Sequence, residues 1–506
     1  MEDSDKRIAQ NTVYLYLRQL VIMALAFFTT RIVLDKLGAS DYGIYTLVGG
    51  FVAGFAVLNS ILSSGTRRFL ALYIGKGSPE KLKQTFSTAV TLHIVIAAII
   101  VIALETGGLW FFKTDLNIAA DRMDAAMWVF QLSVVATFLG VIQTPFMACV
   151  TAHENFRVYA AMSLYDIIAK LAVIYLLVML PGDKLIVYAW LNLAVTCSTT
   201  LIYRLYCLKK FPECTNSLQI DKPLMKEMMR FSGWGAFGHV MTVVNTQGIS
   251  VILNIFFNTV MNAARGLAGT VNFAIASLVT GFLVAAQPQL VKFYGSGEME
   301  RFKRLIFNVT QYTLFLMAIV TVPVLLEIDY VVNLWLGGDV PPYTCTFIKI
   351  TLICSVIGRS SNMVEKGLEA IGRVREINIF AVPTYILSLP LVYLVLWLGW
   401  SPAMAYWAVN IPPLLSFIIN LILLSRFVGF PGLRYFNTIF LKNLLLIGAS
   451  AIIPWLVQSQ MPEGFLRFIV VCTLSVVCTV ANLWLFGMNQ ATKQMVREKV
   501  LSKIHK

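Results

Sequence analysis

Gly77-Ser78-Pro79-Glu80-Lys81-Leu82-Lys83 recurs 220 residues later as Gly297-Glu298-Met299-Glu300-Arg301-Phe302-Lys303, and each copy stands between two long apolar runs. Tyr73 and Tyr294 precede the two copies in similar positions. Working outward, fourteen apolar runs long enough to span a bilayer follow one another from 11–34 to 466–487, and the repeat falls after the second and after the eighth. The chain therefore reads as two blocks of six helices. Because six is even, the blocks share one orientation, as two parallel lobes with a cleft between them. The expected architecture is all-α and polytopic: a six-helix lobe over 1–208, a cytoplasmic linker over 209–230, and a second six-helix lobe over 231–428. Residues 429–506 add two further helices and a basic tail.

Composition agrees with a membrane chain. Of 506 residues, 58% are hydrophobic and 13% charged, against roughly 25% charged in soluble domains. At about 20 apolar residues per crossing, this stock supplies about fourteen helices, and a mean hydropathy of +0.75 spreads it along the chain. The net charge of +14 would suggest nucleic acid in a soluble protein. In a membrane protein it reports basic cytoplasmic loops, and no nucleic-acid partner is expected. Threading the fourteen runs places thirty Lys and Arg on one side and six on the other, an asymmetry that one missed helix would scramble. Both termini are expected in the cytoplasm, and the amino-terminal segment lacks the cleavage site of a removable signal.

Soluble chemistries find little support. Gly233-Trp234-Gly235-Ala236-Phe237-Gly238 matches G-x-G-x-x-G by letter but opens a spanning helix instead of following a strand, so close helix packing is its reading. The eight cysteines show neither paired metal spacing nor a disulfide framework and read as small hydrophobes. His153-Glu154 has no second histidine at metalloprotease spacing. No catalytic set, metal or cofactor is expected.

The sharper signal is ionisable residues inside apolar runs, each costing about 2.5–3.5 kcal/mol at the bilayer centre unless it faces protein or water. Tyr159, Ser163, Asp166 and Lys170 form one polar stripe, with Asp166 and Lys170 a buried ion pair near mid-membrane. In the seventh helix His239, Thr242, Thr246 and Ser250 form another, with Asn245 and Gln247 beside it. Asn272, Ser277, Gln287 and Gln289 dot the eighth, where Pro288 is expected to break the helix. Arg18 and Arg31 lie in the first helix about 140° apart at roughly 100° per residue. Arg265 and Lys349 complete the cations. The expected cavity residues are Arg18, Arg31, Asp166, Lys170, His239, Asn245, Arg265, Asn272 and Lys349. Asp166 is the one mid-span acid among them.

Arg31-x-x-x-Asp35-x-x-Gly38-Ala39-Ser40-Asp41-Tyr42-Gly43-Ile44-Tyr45, together with Phe231-Ser232-Gly233-Trp234 and Asn262-Ala263-Ala264-Arg265-Gly266, resembles bacterial polysaccharide-biosynthesis membrane proteins. These are the O-antigen and capsule flippases of the multidrug/oligosaccharidyl-lipid/polysaccharide exporter superfamily. The resemblance implies translocation of an undecaprenyl-pyrophosphate-linked oligosaccharide across the bacterial inner membrane by alternating access, with polysaccharide polymerase machinery as a partner. Related lipid II flippases also use a cationic cavity and two extra helices. Arginine suits such a cleft because it stays charged and offers forked donors to pyrophosphate. Two other classes remain open. An ion-coupled multidrug exporter of the same superfamily would be dominated by buried acids. A membrane-embedded polymerase or ligase would expose carboxylates or histidines in a substantial outer loop, whereas the stretch 105–125 is short.

Overall fold

A computed structural model describes residues 27–55, 57–153, 155–214, 220–338 and 340–487. Among these the chain is helical with no strand. The main helices are α1 (Val57–Gly75), α2 (Pro79–Ala103), α3 (Met123–Ala152), α4 (Phe156–Met179), α5 (Lys184–Lys210), α6 (Lys222–Phe256) and α7 (Thr259–Gly295). They continue with α8 (Met299–Leu326), α9 (Thr344–Ala370), α10 (Ser388–Trp397), α11 (Ile411–Val428), α12 (Lys442–Gln460) and α13 (Phe465–Asn482). Ten helical segments among the described residues are long and apolar enough to cross a membrane, and each coincides with one of the fourteen apolar runs. α6 and α7, at 35 and 37 residues, are also long enough to span but carry the polar residues noted above.

The repeated heptapeptide folds twice into the same turn. Gly77 N–H bonds to the carbonyl of Ile74 and Ser78 N–H to that of Tyr73; Gly297 bonds to Tyr294 and Glu298 to Phe293. Each is the paired-bond cap that ends a helix on a left-handed residue, and the glycines take φ of 59° and 74°. Leu82 and Phe302, which follow at the same offset, are both buried at the start of the next helix. The register equates Tyr73 with Phe293, so Tyr73 and Tyr294 are neighbours in the repeat and not equivalents.

Two local expectations change. α6 begins at Lys222, so the last part of 209–230 is helix; Asp221 accepts from Leu224 N at 3.0 Å and Pro223 sits in the first turn, a cap that stands well before the apolar run. The glycine-rich hexapeptide consequently lies inside α6. α7 runs through Pro288 without a break, since a spanning helix tolerates the lost bond when neighbouring groups resatisfy the backbone.

Packing divides the described chain into two compact units. One takes residues 27–266 with Val382–Val409, and the other takes Leu267–Ala381 with 410–487. In the first, α3 packs on α5, α1 and α2, while α6 packs on α1 and α10. Its core joins Leu70, Phe86, Phe146, Tyr203 and Phe211. In the second, α8 lies against α9, α12 and α13. There the Tyr435 hydroxyl donates to Ser360 O at 2.8 Å and bonds Thr310 Oγ1 at 2.8 Å, fixing the approach to α12. The second unit also holds a cavity of about 740 Å³ lined by Lys303, Arg304, Arg434 and Lys442. Two basic loops that the sequence assigns to one side thus meet on one face.

Candidate functional site

Arg265 sits in the second turn of α7, at the end of the first unit. Its guanidinium donates to Ser250 Oγ and, at 2.9 Å, to the carbonyl of Thr246, both on α6. Among the described residues no carboxylate lies within ion-pair distance of it, and its Nε is buried without a hydrogen-bond partner. One turn earlier Asn262 is buried with neither amide atom paired, and on α6 the buried Asn245 leaves its Oδ1 unpaired. Asn272 is partly buried with an unpaired Oδ1. Glycines on the helical segment 27–55 and on α7 let α6 and α7 approach that segment closely. A Cβ at Gly50 or Gly54 would meet Gln247, and one at Gly266 would meet Thr46. The polar faces of α6 and α7 thus hold one uncompensated cation among unpaired amides.

On α4 the stripe forms as its spacing demands. Lys170 Nζ reaches Asp166 Oδ2 at 2.7 Å, but the side chains are 58% and 40% exposed. The expectation of a buried pair fails for a local reason. Leu164, Ile168 and Tyr175, exposed and apolar, mark the lipid side of α4, and at roughly 100° per residue the charged pair points nearly opposite. Val173 and Leu177, on the pair's side but further along, are buried. The pair is therefore uncovered on the packed side of the helix, where water and not acyl chain must solvate it.

The remaining expected residues scatter. Lys349 is not an uncompensated cation: Asp329, on the short helix Ile328–Leu336, meets it at 2.9 Å. Burial would raise the Asp329 pKa, but hydrogen bonds from Lys349 and Cys345 outweigh it and hold the carboxyl below the usual range. Arg31 is exposed. Arg18 lies outside the described residues, as does the side chain of His239.

Two clusters escaped the sequence reading. Arg122, at the start of α3, donates from Nε to Asp41 at 2.8 Å and from NH2 to Asp183 Oδ1 at 3.1 Å, joining three segments far apart in sequence. The two acids are not equivalent. Burial pushes Asp41 above its ordinary value despite Arg122, whereas the Arg122 hydrogen bond holds Asp183 below it. The second cluster gathers Cys149, His153, Glu213 and Cys214 at the far end of α3. Its ligand-type side chains come from two segments about sixty residues apart, a spacing no short motif reveals.

No protein-family model matches the sequence, and no curated protein matches it. Solved structures do. The fold is one that solved MOP-superfamily transporters also adopt. A lipid II flippase, MurJ, in an inward closed conformation superimposes with a TM-score of 0.72 at 11% identity, over 94% of this chain and 98% of that one. An inward-facing multidrug resistance transporter of the MATE family in the MOP superfamily gives 0.69 at 13%, over 82% and 98%. A MOP superfamily transporter from Pyrococcus furiosus, titled for the reverse polarity of its binding pocket, gives 0.58 at 14%, over 81% and 93%. At these identities the likeness speaks for the fold, a polytopic helical transporter architecture.

Proposed function

We propose that the chain flips a polyprenyl-pyrophosphate-linked oligosaccharide from the cytoplasmic to the outer leaflet of a bacterial inner membrane, serving O-antigen, capsule or exopolysaccharide assembly. The six-helix repeats, 1–208 and 231–428, alternate access, and a polysaccharide polymerase takes up the product as partner. The observation that carries this reading is Arg265. A guanidinium does not discharge by losing its proton, so one set between two spanning helices with no carboxylate partner among the described residues calls for an anion, and pyrophosphate matches its forked donors. The unpaired amides of Asn245 and Asn262 suit sugar hydroxyls.

Chain length supports the same reading. The flippase match covers about 60 more residues of this chain than the MATE match does, about the length of the stretch 429–487 that carries α12 and α13. A cation exporter would need free acids, and Asp166, the acid that the sequence reading places mid-span, is held by Lys170.

Purified protein in liposomes is expected to move a fluorescent polyprenyl-pyrophosphate sugar between leaflets. Arg265→Ala should lower the rate at least about tenfold, the cost of a lost charged hydrogen bond, with the melting curve kept. Arg265→Lys should restore part of it. Undiminished movement by the alanine variant would refute the cationic site, and efflux of a lipophilic cation without movement of the lipid-linked sugar would place the protein with the exporters.

A further inference from the structure

The cluster at the end of α3 has the donor set of a metal site. Cys149 and His153, four residues apart on the last turns of α3, face the same way. Glu213 and Cys214 come from the turn after α5, which the Cys214 N–H closes onto Phe211 O at 3.1 Å. Cys149 Sγ lies 3.5 Å from Cys214 Sγ and 3.5 Å from Glu213 Oε1, and His153 Nε2 meets the same carboxylate oxygen. The donor atoms of Cys149, His153 and Glu213 all fall within 4.8 Å of one another, and Cys214 adjoins this trio through Cys149, so as a fourth ligand its thiol turns in toward the other three.

A tetrahedral zinc ion with the usual bond lengths sets two sulfur ligands about 3.8 Å apart and a sulfur and an oxygen ligand about 3.5 Å apart. The observed separations are close to both. The surroundings argue for a cation as well. Glu213 is 4% exposed, Cys214 4% and Cys149 0%, and among the described residues no Lys or Arg pairs with Glu213. A carboxylate buried against two thiols, with the His153 imidazole as its ion-pair partner among the described residues, is costly until a full positive charge joins it. The His153 ring stacks on Phe211 at 4.3 Å and 14°, which fixes the direction of Nε2. Cys207, one turn back on α5 and buried, directs its thiol to Phe146 O at 3.5 Å and also lies beside Cys214.

We propose that Cys149, His153, Glu213 and Cys214 bind one zinc ion in a closed structural site. The ion ties the end of α3 to the turn that leads from the first six helices toward α6. The basic stretch 204–230 assigns this end to the cytoplasm, where thiols stay reduced and available to a metal.

The test uses the full-length protein with a tag free of histidine, purified without chelator. Elemental analysis should find about one zinc per chain, as a structural site retains its metal through purification. Cobalt(II) added to chelator-stripped protein should give a thiolate-to-cobalt charge-transfer band. Cys149→Ser and Cys214→Ser should each cut bound zinc at least about tenfold, while Cys354→Ser on α9 keeps it. If the serine variants do not fold, the cobalt titration of the unaltered protein decides. Zinc below about a tenth per chain together with no cobalt band would overturn the site. So would a Cys149–Cys214 disulfide in protein prepared under cytoplasmic redox conditions, which would make the pair a redox couple instead.

Discussion

Gly43 has no room for a side chain, because a Cβ there would lie 1.9 Å from the backbone oxygen of Thr259. Backbone cannot be pushed aside as a flexible side chain can, so Gly43→Ala should cost about 3 kcal/mol or prevent folding, read as a lowered melting temperature in detergent. The Asp166–Lys170 pair predicts the opposite pattern. Exposed on both sides, it contributes at most about 1 kcal/mol to stability, so Asp166→Asn and Lys170→Met should each melt close to the parent and, if the pair lines a wet surface, change transport. A large fall in melting temperature with either would show that the pair is covered after all. At this scale the sequence revealed which residues are polar and how they are spaced along one helix. It could not reveal their partners from other segments. Asp329 neutralises Lys349 from a short helix that the apolar-run reading passes over as loop, and Arg265 stands out only once its surroundings prove free of acid.

Elements are joined at their ends by contacts that hydropathy does not register. Arg122 binds the start of α3 to Asp41 and to Asp183, and Asp183 also caps α5 by accepting from Leu185 N at 2.9 Å. Since Asp183 is held below the ordinary aspartate value, its ionised form contributes stability that is present above that value and lost as the pH falls through the depressed one. Asp183→Asn should therefore lower stability at neutral pH by about 1–2 kcal/mol, with the deficit closing only in strong acid. Asp41, raised by burial, gives the contrary sign: its charge is disfavoured in the fold, and Asp41→Asn should be nearly neutral in the same melt. Equal losses from the two variants would contradict this asymmetry. The helices themselves were legible because apolar runs longer than a bilayer admit few other structures. Their ends were less so. The cap at Asp221 starts α6 in a polar stretch, because capping and not hydrophobicity decides where that helix begins, and Pro288 leaves α7 whole.

At the scale of the whole molecule the sequence reading rests on sidedness, because thirty basic residues on one side integrate over the entire chain and depend on no single contact. The repeated turn at Gly77 and Gly297 gives that reading a structural counterpart in identical capping bonds. Sidedness is directly testable, because Lys113, Lys210 and Glu463 are all exposed at helix ends, so that replacement by cysteine disturbs no packing. With fourteen crossings and both termini inside, a cysteine at 113 or at 463 should react in intact cells with an impermeant thiol reagent, and one at 210 only after the membrane is opened. The native cysteines make a low background, the most exposed, Cys197, lying mid-way along α5. Positions 113 and 210 sit on opposite ends of an odd number of crossings, α3, α4 and α5, so equal labelling of both would break the helix count in the first unit. Position 463 joins α12 to α13, so protection there with labelling at 113 and none at 210 would place an odd miscount of crossings between 210 and 463.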